Sequence, residues 1–451
     1  MASTYLTKNL STATDLKTWT WSAWIKRSKL STEQGLFSGD AASTYTTSFF
    51  FDTSDRLQYK DVSAGSTRQQ LITNRVFRDT SSWYNIQVVY NSTEGTASNR
   101  LKFYVNGSQE TSFSTATYPS LNETVQINGS DPTGIGKQPQ STSNNFDGSM
   151  THIHLIDGTA YDASAFGATN AASGIWTPLA SPSVTYGTNG FFLKFGSSGA
   201  LGTDSSGNSN TFTVNGSGTQ TQDAPSNVFA TMNPLATSSY ITLSNGNLTA
   251  TGNTGTESGN SFCNYVPTTG KWYVEYKVTG ISGNSAPTIG IRQEYPDGFQ
   301  LTNTNAGQAG YATAYEASIR RDGQRYQNNG TGSWGTSYTT GDIISIALDC
   351  DNGAGYIAKN ATYMNSGDPT SGASKTGAFV VWTQAQVNNF GQAFAVNNYS
   401  GSATQANFGN GYFGTTAVAS GNADGAGYGI FEYAPPTGYY SLCTKNINTY
   451  G

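Results

Sequence analysis

The sequence predicts an all-β protein: two antiparallel β-sandwich (jelly-roll) domains joined by a Gly/Ser/Asn-rich linker. Three observations predict it. Apolar and polar residues alternate in short runs across most of the chain, the period of half-buried strands. Asn-Gly and Asp-Gly dipeptides follow such runs at once, and they accept the backbone angles of tight hairpin turns. The alternation lapses once for long, over Gly196–Tyr240, a stretch crowded with turn-forming Gly, Ser, Thr, Asn and Asp. The resulting division is 1–200 as one sandwich, 201–239 as its tail and linker, and 240–451 as a second sandwich. No helical period persists beyond about ten residues.

Composition narrows the function classes. The chain has 451 residues, enough for two cores, with 11% charged and 13% aromatic residues. Disordered chains show the reverse balance. The net charge is −5 and no cluster of Lys and Arg occurs, so no nucleic-acid partner is expected. Cys263, Cys350 and Cys443 make neither a disulfide framework nor a metal spacing. No run approaches the roughly 18 apolar residues of a membrane span, and the first residues lack the apolar core of a secretion signal. A soluble chain without membrane insertion is expected.

In the first half, Trp19–Arg27 reads WTWSAWIKR, and Trp19, Trp21, Ala23 and Ile25 suit one buried face. Trp83–Tyr90 places Tyr84, Ile86, Val88 and Tyr90 on one face, with Asn85 and Gln87 on the other. Leu101, Phe103 and Val105 form the next apolar face, and Asn106-Gly107 turns the chain. Ser149–Asp157 reads SMTHIHLID and closes at Asp157-Gly158; Phe191–Phe195 is a last short strand.

The order WSAWIKRS, RDTSSWYNIQVVYN, NRLKFYVNG, GIGK and FDGSM resembles a concanavalin-A-like, laminin-G or pentraxin-type sandwich over about residues 1–200. That resemblance implies binding of sugars or proteins, in some members with calcium. Some relatives are glycanases, whose catalytic strand carries paired acids, because glycoside hydrolysis needs two carboxylates. Here Ser149–Asp157 offers His152 and His154 in their place, so no enzyme and no catalytic residue is expected. These are the only two histidines, spaced to share one strand face, which suits a half-exposed polar face better than a metal pair. Asp131 and Asp147 lie in loops and are the candidate calcium ligands; otherwise no cofactor is expected.

In the second half, Gly270–Thr279 reads GKWYVEYKVT, with Trp272, Val274, Tyr276 and Val278 on one face. Gly341–Asp349 aligns Ile344, Ile346 and Leu348, and Asp351-Asn352-Gly353 turns the chain into GYIAKN. Gly377–Trp382, Asn407–Gly409 and Pro435–Leu442 follow. GKWYVE, GDIISIALD, GYIAKN, NFG and PPTGYYSL, in this order, are similar to a SPRY domain over about residues 240–445. A glycine-rich insertion at Ala417–Gly429 departs from that pattern. SPRY domains bind partners through loops at one end of the sandwich. The candidate contacts are Tyr311, Tyr315, Arg320, Arg321, Tyr326 and Trp334, in the loop-rich region before the middle hairpin. The GxGxxG match at Gly330–Gly335 lacks a preceding strand and a following helix, so no dinucleotide is expected.

The combination of the two modules with the joint TDSSGNSN…DAPSNVFATMNPL resembles virion structural proteins of tailed, marine-type bacteriophages. The resemblance implies assembly in the host cytoplasm and residence in the virion as a homo-oligomer beside capsid or tail proteins. It implies a fibre or appendage component recognising a host-surface glycan or receptor. The alternatives are a capsid decoration protein and, further off, an intracellular SPRY-type adaptor.

Overall fold

A computed structural model describes residues 4–451 apart from 139–140, 142, 172, 256–257, 284–285, 295–308, 311–312 and 388. The chain divides into two compact units, 1–220 and 221–451. Each is a β-sandwich, as the alternation predicts.

In the first unit one sheet has eight strands. Its order is Phe113–Thr117, Ser66–Val76, Arg56–Ser63, Tyr45–Phe51, Gln34–Ala42, Pro132–Ile135, Tyr5–Asn9 and Thr213–Asn215. The other has six, in the order Phe191–Leu193, Gly148–Asp157, Thr18–Arg27, Tyr84–Asn91, Leu101–Val105 and Ser108–Glu110. Their inner faces meet through aromatic rings. Trp21 packs against Phe49 at 5.0 Å and Phe37 at 5.8 Å, and Trp19 stacks on Tyr90 at 5.1 Å. Trp19, Trp21, Ala23 and Ile25 are all fully buried in this core. Burial of this kind supplies most of the driving force for folding.

Alternation predicted one buried face on the central strands; the structure covers both. Residues 159–171 and 173–178 lie over the outer face of the six-stranded sheet. Gln87 donates to the Tyr161 carbonyl at 2.8 Å, Trp176 Nε1 donates to Asn85 Oδ1 at 3.2 Å, and Thr20 donates to the Thr159 carbonyl at 2.9 Å. Asn85 and Gln87 are polar because they must bond this strap, and buried polar groups need partners.

The second unit pairs Met232–Thr237, Ser258–Cys263, Gln392–Tyr399, Thr288–Gln293, Ala317–Arg320, Gln324–Gln327 and Gly330–Ser333 in one sheet. The other runs Ile241–Ser244, Thr249–Gly252, Ala403–Asn407, Lys271–Gly280, Ile343–Asp349, Ala354–Lys359 and Thr362–Tyr363. Trp272, Val274, Tyr276, Val278, Ile344, Ile346 and Leu348 fill the core with Ile289, Ile291 and Phe394. The outer face of Lys271–Gly280 is covered too. Tyr273 meets Phe431 edge-on at 5.0 Å, and the buried Glu275 carboxylate accepts from the backbone of Glu432 and Tyr433 at 2.9 and 2.8 Å.

The stretch 201–239, expected as tail and linker, is shared between the units. Thr213–Asn215 pairs with Tyr5–Asn9 in the first, and Met232–Thr237 pairs with Ser258–Cys263 in the second. The Ala417–Gly429 insertion is built in. Asn422–Ala423 pairs with Ile430–Phe431, and Asp424 accepts from Ser441 N at 2.8 Å and Asn446 Nδ2 at 2.9 Å. That asparagine lies in a short carboxy-terminal helix, Thr444–Tyr450, which strand periodicity did not foresee.

Candidate functional site: a polar cleft in the second unit

The strands Ala317–Arg320 and Gln324–Gln327 are joined by a turn at Arg321–Gly323. Gly323 has φ +83°, and its amide donates to the Arg320 carbonyl at 2.9 Å. Glycine is required there: a Cβ would sit 2.7 Å from the Gly335 carbonyl oxygen. The chain after Gly330–Ser333 returns past this turn. Gly335 N donates to Gly323 O and Tyr338 N to Arg321 O, each at 2.9 Å. Tyr338 is driven inward as a buried peg, its hydroxyl within hydrogen-bond distance of the Pro287 and Ile319 carbonyls at 2.7 and 3.0 Å. Burial raises its phenol well above the ordinary range, so it stays neutral.

Between the turn and the returning loop lies a cleft of about 390 Å³, lined by Arg321, Asp322, Ser337, Tyr338, Thr339 and Lys359. Lys359 ends the strand Ala354–Lys359. Its ammonium lies 3.1 Å from Asp342 Oδ2 and donates to the Ser337 carbonyl at 2.8 Å. Asp342 also accepts from Thr339 N and Asn360 Nδ2, each at 2.8 Å. Partial burial pushes the Asp342 carboxyl up, but these hydrogen bonds and the Lys359 charge prevail and hold it below the usual range. The cleft wall is thereby fixed by hydrogen bonds rather than by apolar packing.

The sequence-selected residues divide. Arg321 lines the cleft, and Arg320 pairs with Asp322 at its rim, 3.3 Å away. Tyr326 is buried and its hydroxyl donates to Asn329 Oδ1 at 2.9 Å. Trp334 packs edge-on against Phe379 at 4.9 Å, and Tyr315 is partly buried against the core. Tyr311 lies outside the described residues. The region expected to be loop-rich holds three strands, and Tyr326, on the middle one, points its ring inward. Asp322, Ser337, Thr339 and Lys359 were missed as contacts. Lys359 stood in the quoted GYIAKN motif, but nothing in one dimension places it beside Arg321.

In the first unit, Asp131 precedes the strand Pro132–Ile135 and Asp147 precedes Gly148–Asp157. Burial raises the Asp147 carboxyl, against the charge of Lys29. Among the described residues no group of three or more His, Cys, Asp or Glu is placed to hold a metal ion. His152 and His154 do not form a simple strand pair. The register slips between Thr151 and His154, and His152 takes φ +47°, a β-bulge. His154 is not half-exposed as expected. It is buried against Phe192 at 3.9 Å and Phe166 at 5.0 Å, with Nδ1 3.0 Å from the Tyr186 hydroxyl. Burial holds its imidazole well below the ordinary range, so it is neutral. Asp157, the one acid of that strand, is committed to structure. Its carboxylate accepts from Thr14 N, Asp15 N, Asn128 Nδ2 and Asn189 N at 2.7–3.1 Å.

Residues 2–165 match the concanavalin A-like lectin/glucanases superfamily. Among solved structures, the SPRY domain of human HERC1 is similar at 18% identity and a TM-score of 0.29, over 39% of this chain and 96% of that one. Another human SPRY domain is similar at 15% identity and a TM-score of 0.27, over 37% of this chain and 94% of that one. A heptameric SAP-like pentraxin from Limulus polyphemus is similar at 15% identity and a TM-score of 0.26, over 35% and 71% of the two chains. No curated protein matches the chain.

Proposed function

We propose that this chain is a non-enzymatic binding protein, a surface component of a tailed-phage particle whose sandwich modules recognise a host-surface glycan or protein. The observation that carries the binding role is the cleft at Arg321, Ser337, Thr339 and Lys359, whose wall is fixed before any ligand arrives. Preorganised polar groups lower the cost of binding. Weak sites of this kind become effective when a particle displays many copies. The non-enzymatic reading is supported by the fate of three of the buried acids. Asp157, Glu275 and Asp424 are all held by hydrogen bonds from their own chain. The virion role is supported by the sequence resemblance of the combined modules.

The test is antibody against this chain, applied to intact particles of the phage encoding it, with imaging by electron microscopy and an adsorption assay. Label on appendages with blocked adsorption supports the reading. Label over the head with normal adsorption leaves a decoration protein in place of a receptor binder. Unlabelled particles remove the virion role.

A further inference from the structure

We infer that the cleft binds an acidic saccharide, a sugar ring carrying a carboxylate, with Arg321 as its anion contact. The inference rests on the reading of the cleft as a binding site. Arg321 is the decisive residue. It shares in no ion pair among the described residues; Arg320 takes Asp322, and Lys359 takes Asp342. One terminal nitrogen of Arg321 donates to the Gly283 carbonyl, while its Nε is buried without a hydrogen-bond partner. A guanidinium that lines the cleft with an uncompensated charge is matched by a carboxylate.

The rest of the lining says what carries that carboxylate. Ser337 and Thr339 are exposed and present hydroxyls, Lys359 and Asp322 present charges, and the Tyr338 ring is withdrawn below the surface. Among the described residues no aliphatic side chain lines the cleft. An acidic peptide would bring an aliphatic stem, and the described lining offers it no aliphatic side chain to pack on. A sugar ring is polar around its rim and pairs its hydroxyls with Ser337, Thr339 and Asp322, as polar groups leaving water must be paired.

The test uses the full chain on an array of neutral, uronate-bearing and sialylated glycans, followed by calorimetry with the best acidic hit, its carboxyl-reduced neutral counterpart and a Glu-rich peptide. The acidic glycan is expected to bind about ten- to a hundredfold more tightly than its reduced form, the range for a hydrogen bond to a charged partner. Arg321→Ala is expected to remove that preference, Arg321→Lys to restore part of it, and neither to change the melting temperature. Equal binding of acidic and neutral glycans, abolished by the cleft-filling Thr339→Trp, overturns the acidic class but keeps the cleft as a binding site. Tighter binding of the Glu-rich peptide overturns the saccharide. Binding that survives Thr339→Trp, or no binding to any probe, overturns both the inference and the reading beneath it.

Discussion

Asp157→Asn is the sharpest test of how the first unit is held together. Asp157 is buried, yet its carboxylate reaches three separate segments. Oδ2 accepts from Thr14 N at 2.7 Å and Asn189 N at 3.0 Å; Oδ1 accepts from Asp15 N at 3.1 Å and Asn128 Nδ2 at 2.7 Å. An asparagine accepts at one end only. If its amide faced Thr14 and Asn189, two backbone donors would be stranded. The cheaper arrangement turns it toward Asn128, whose amide flips to accept. That flip gives up the Asn128 bond to the Asp15 carbonyl, now 3.0 Å, and still leaves Asp15 N unpaired. One stranded buried donor costs about 1–3 kcal/mol and bonds to a charge are each worth about 1.5–3, so a net loss of about 2–4 kcal/mol is expected.

The pH dependence provides a second handle on the same residue. Burial acts to raise the Asp157 carboxyl, but the bonds from Asn128, Thr14, Asn189 and Asp15 outweigh it and hold it below the ordinary range. A depressed folded value means the stabilisation is present above the unfolded value, about 3.9, and is lost as pH falls through the folded one. Urea denaturation at pH 7 and below pH 4 measures both effects, with hydrogen exchange in peptides covering 14–15, 128 and 189 assigning the transition to this unit. The midpoint at pH 7 is expected to fall by about 1 M, taking a slope of about 3 kcal/mol/M. The gap between variant and parent is expected to narrow in acid. A pH 7 midpoint unchanged by the substitution, or a gap that widens in acid, refutes the reasoning.

Other expectations follow from the same geometry. Trp21→Ala empties the ring position between Phe37 and Phe49 and is expected to cost about 3–5 kcal/mol, read from the urea midpoint of the first unit. Burial pushes Glu275 up to about 7 despite its bonds to Glu432, Tyr433, Asn407 and Tyr273. A raised folded value means stability is full below the unfolded value, about 4.3, and is lost as pH rises through about 7, by at most about 1.4 kcal/mol per pH unit. Glu275→Gln is expected to flatten that limb between about pH 4 and 7, and 13C NMR of the carboxyl reports the titration directly. Gly353 turns the middle hairpin at φ +71°, where a Cβ would lie 2.1 Å from the Trp382 carbonyl oxygen. Gly353→Ala is expected to cost about 2 kcal/mol or more, seen as a lower melting temperature.

Much of the fold was legible in one dimension because strand periodicity is local. Residues Trp19, Trp21, Ala23 and Ile25, or Trp272, Val274, Tyr276 and Val278, sit two apart and so must share a face once extended. Asn106-Gly107 turned as expected, with φ of 49° and 81°. The buried polar residues on the opposite faces carried no such signal. Asn85 and Gln87 read as the open face because their partners, Trp176 and Tyr161, are remote in the chain, and Glu275 likewise finds Glu432 far along it.

The candidate site divides in the same way. Arg321 could be picked out as a charged residue of the loop-rich region before the middle hairpin, and Lys359 could be placed on its strand by the GYIAKN run. Their meeting at one cleft depends on a turn, a returning loop and a hairpin end that tertiary packing brings together. Tyr326 and Trp334 looked equally available, yet both point inward. Composition can show that a ring is present; only the closed sheet decides whether it faces the core or water, because burial belongs to the packed chain and not to the residue.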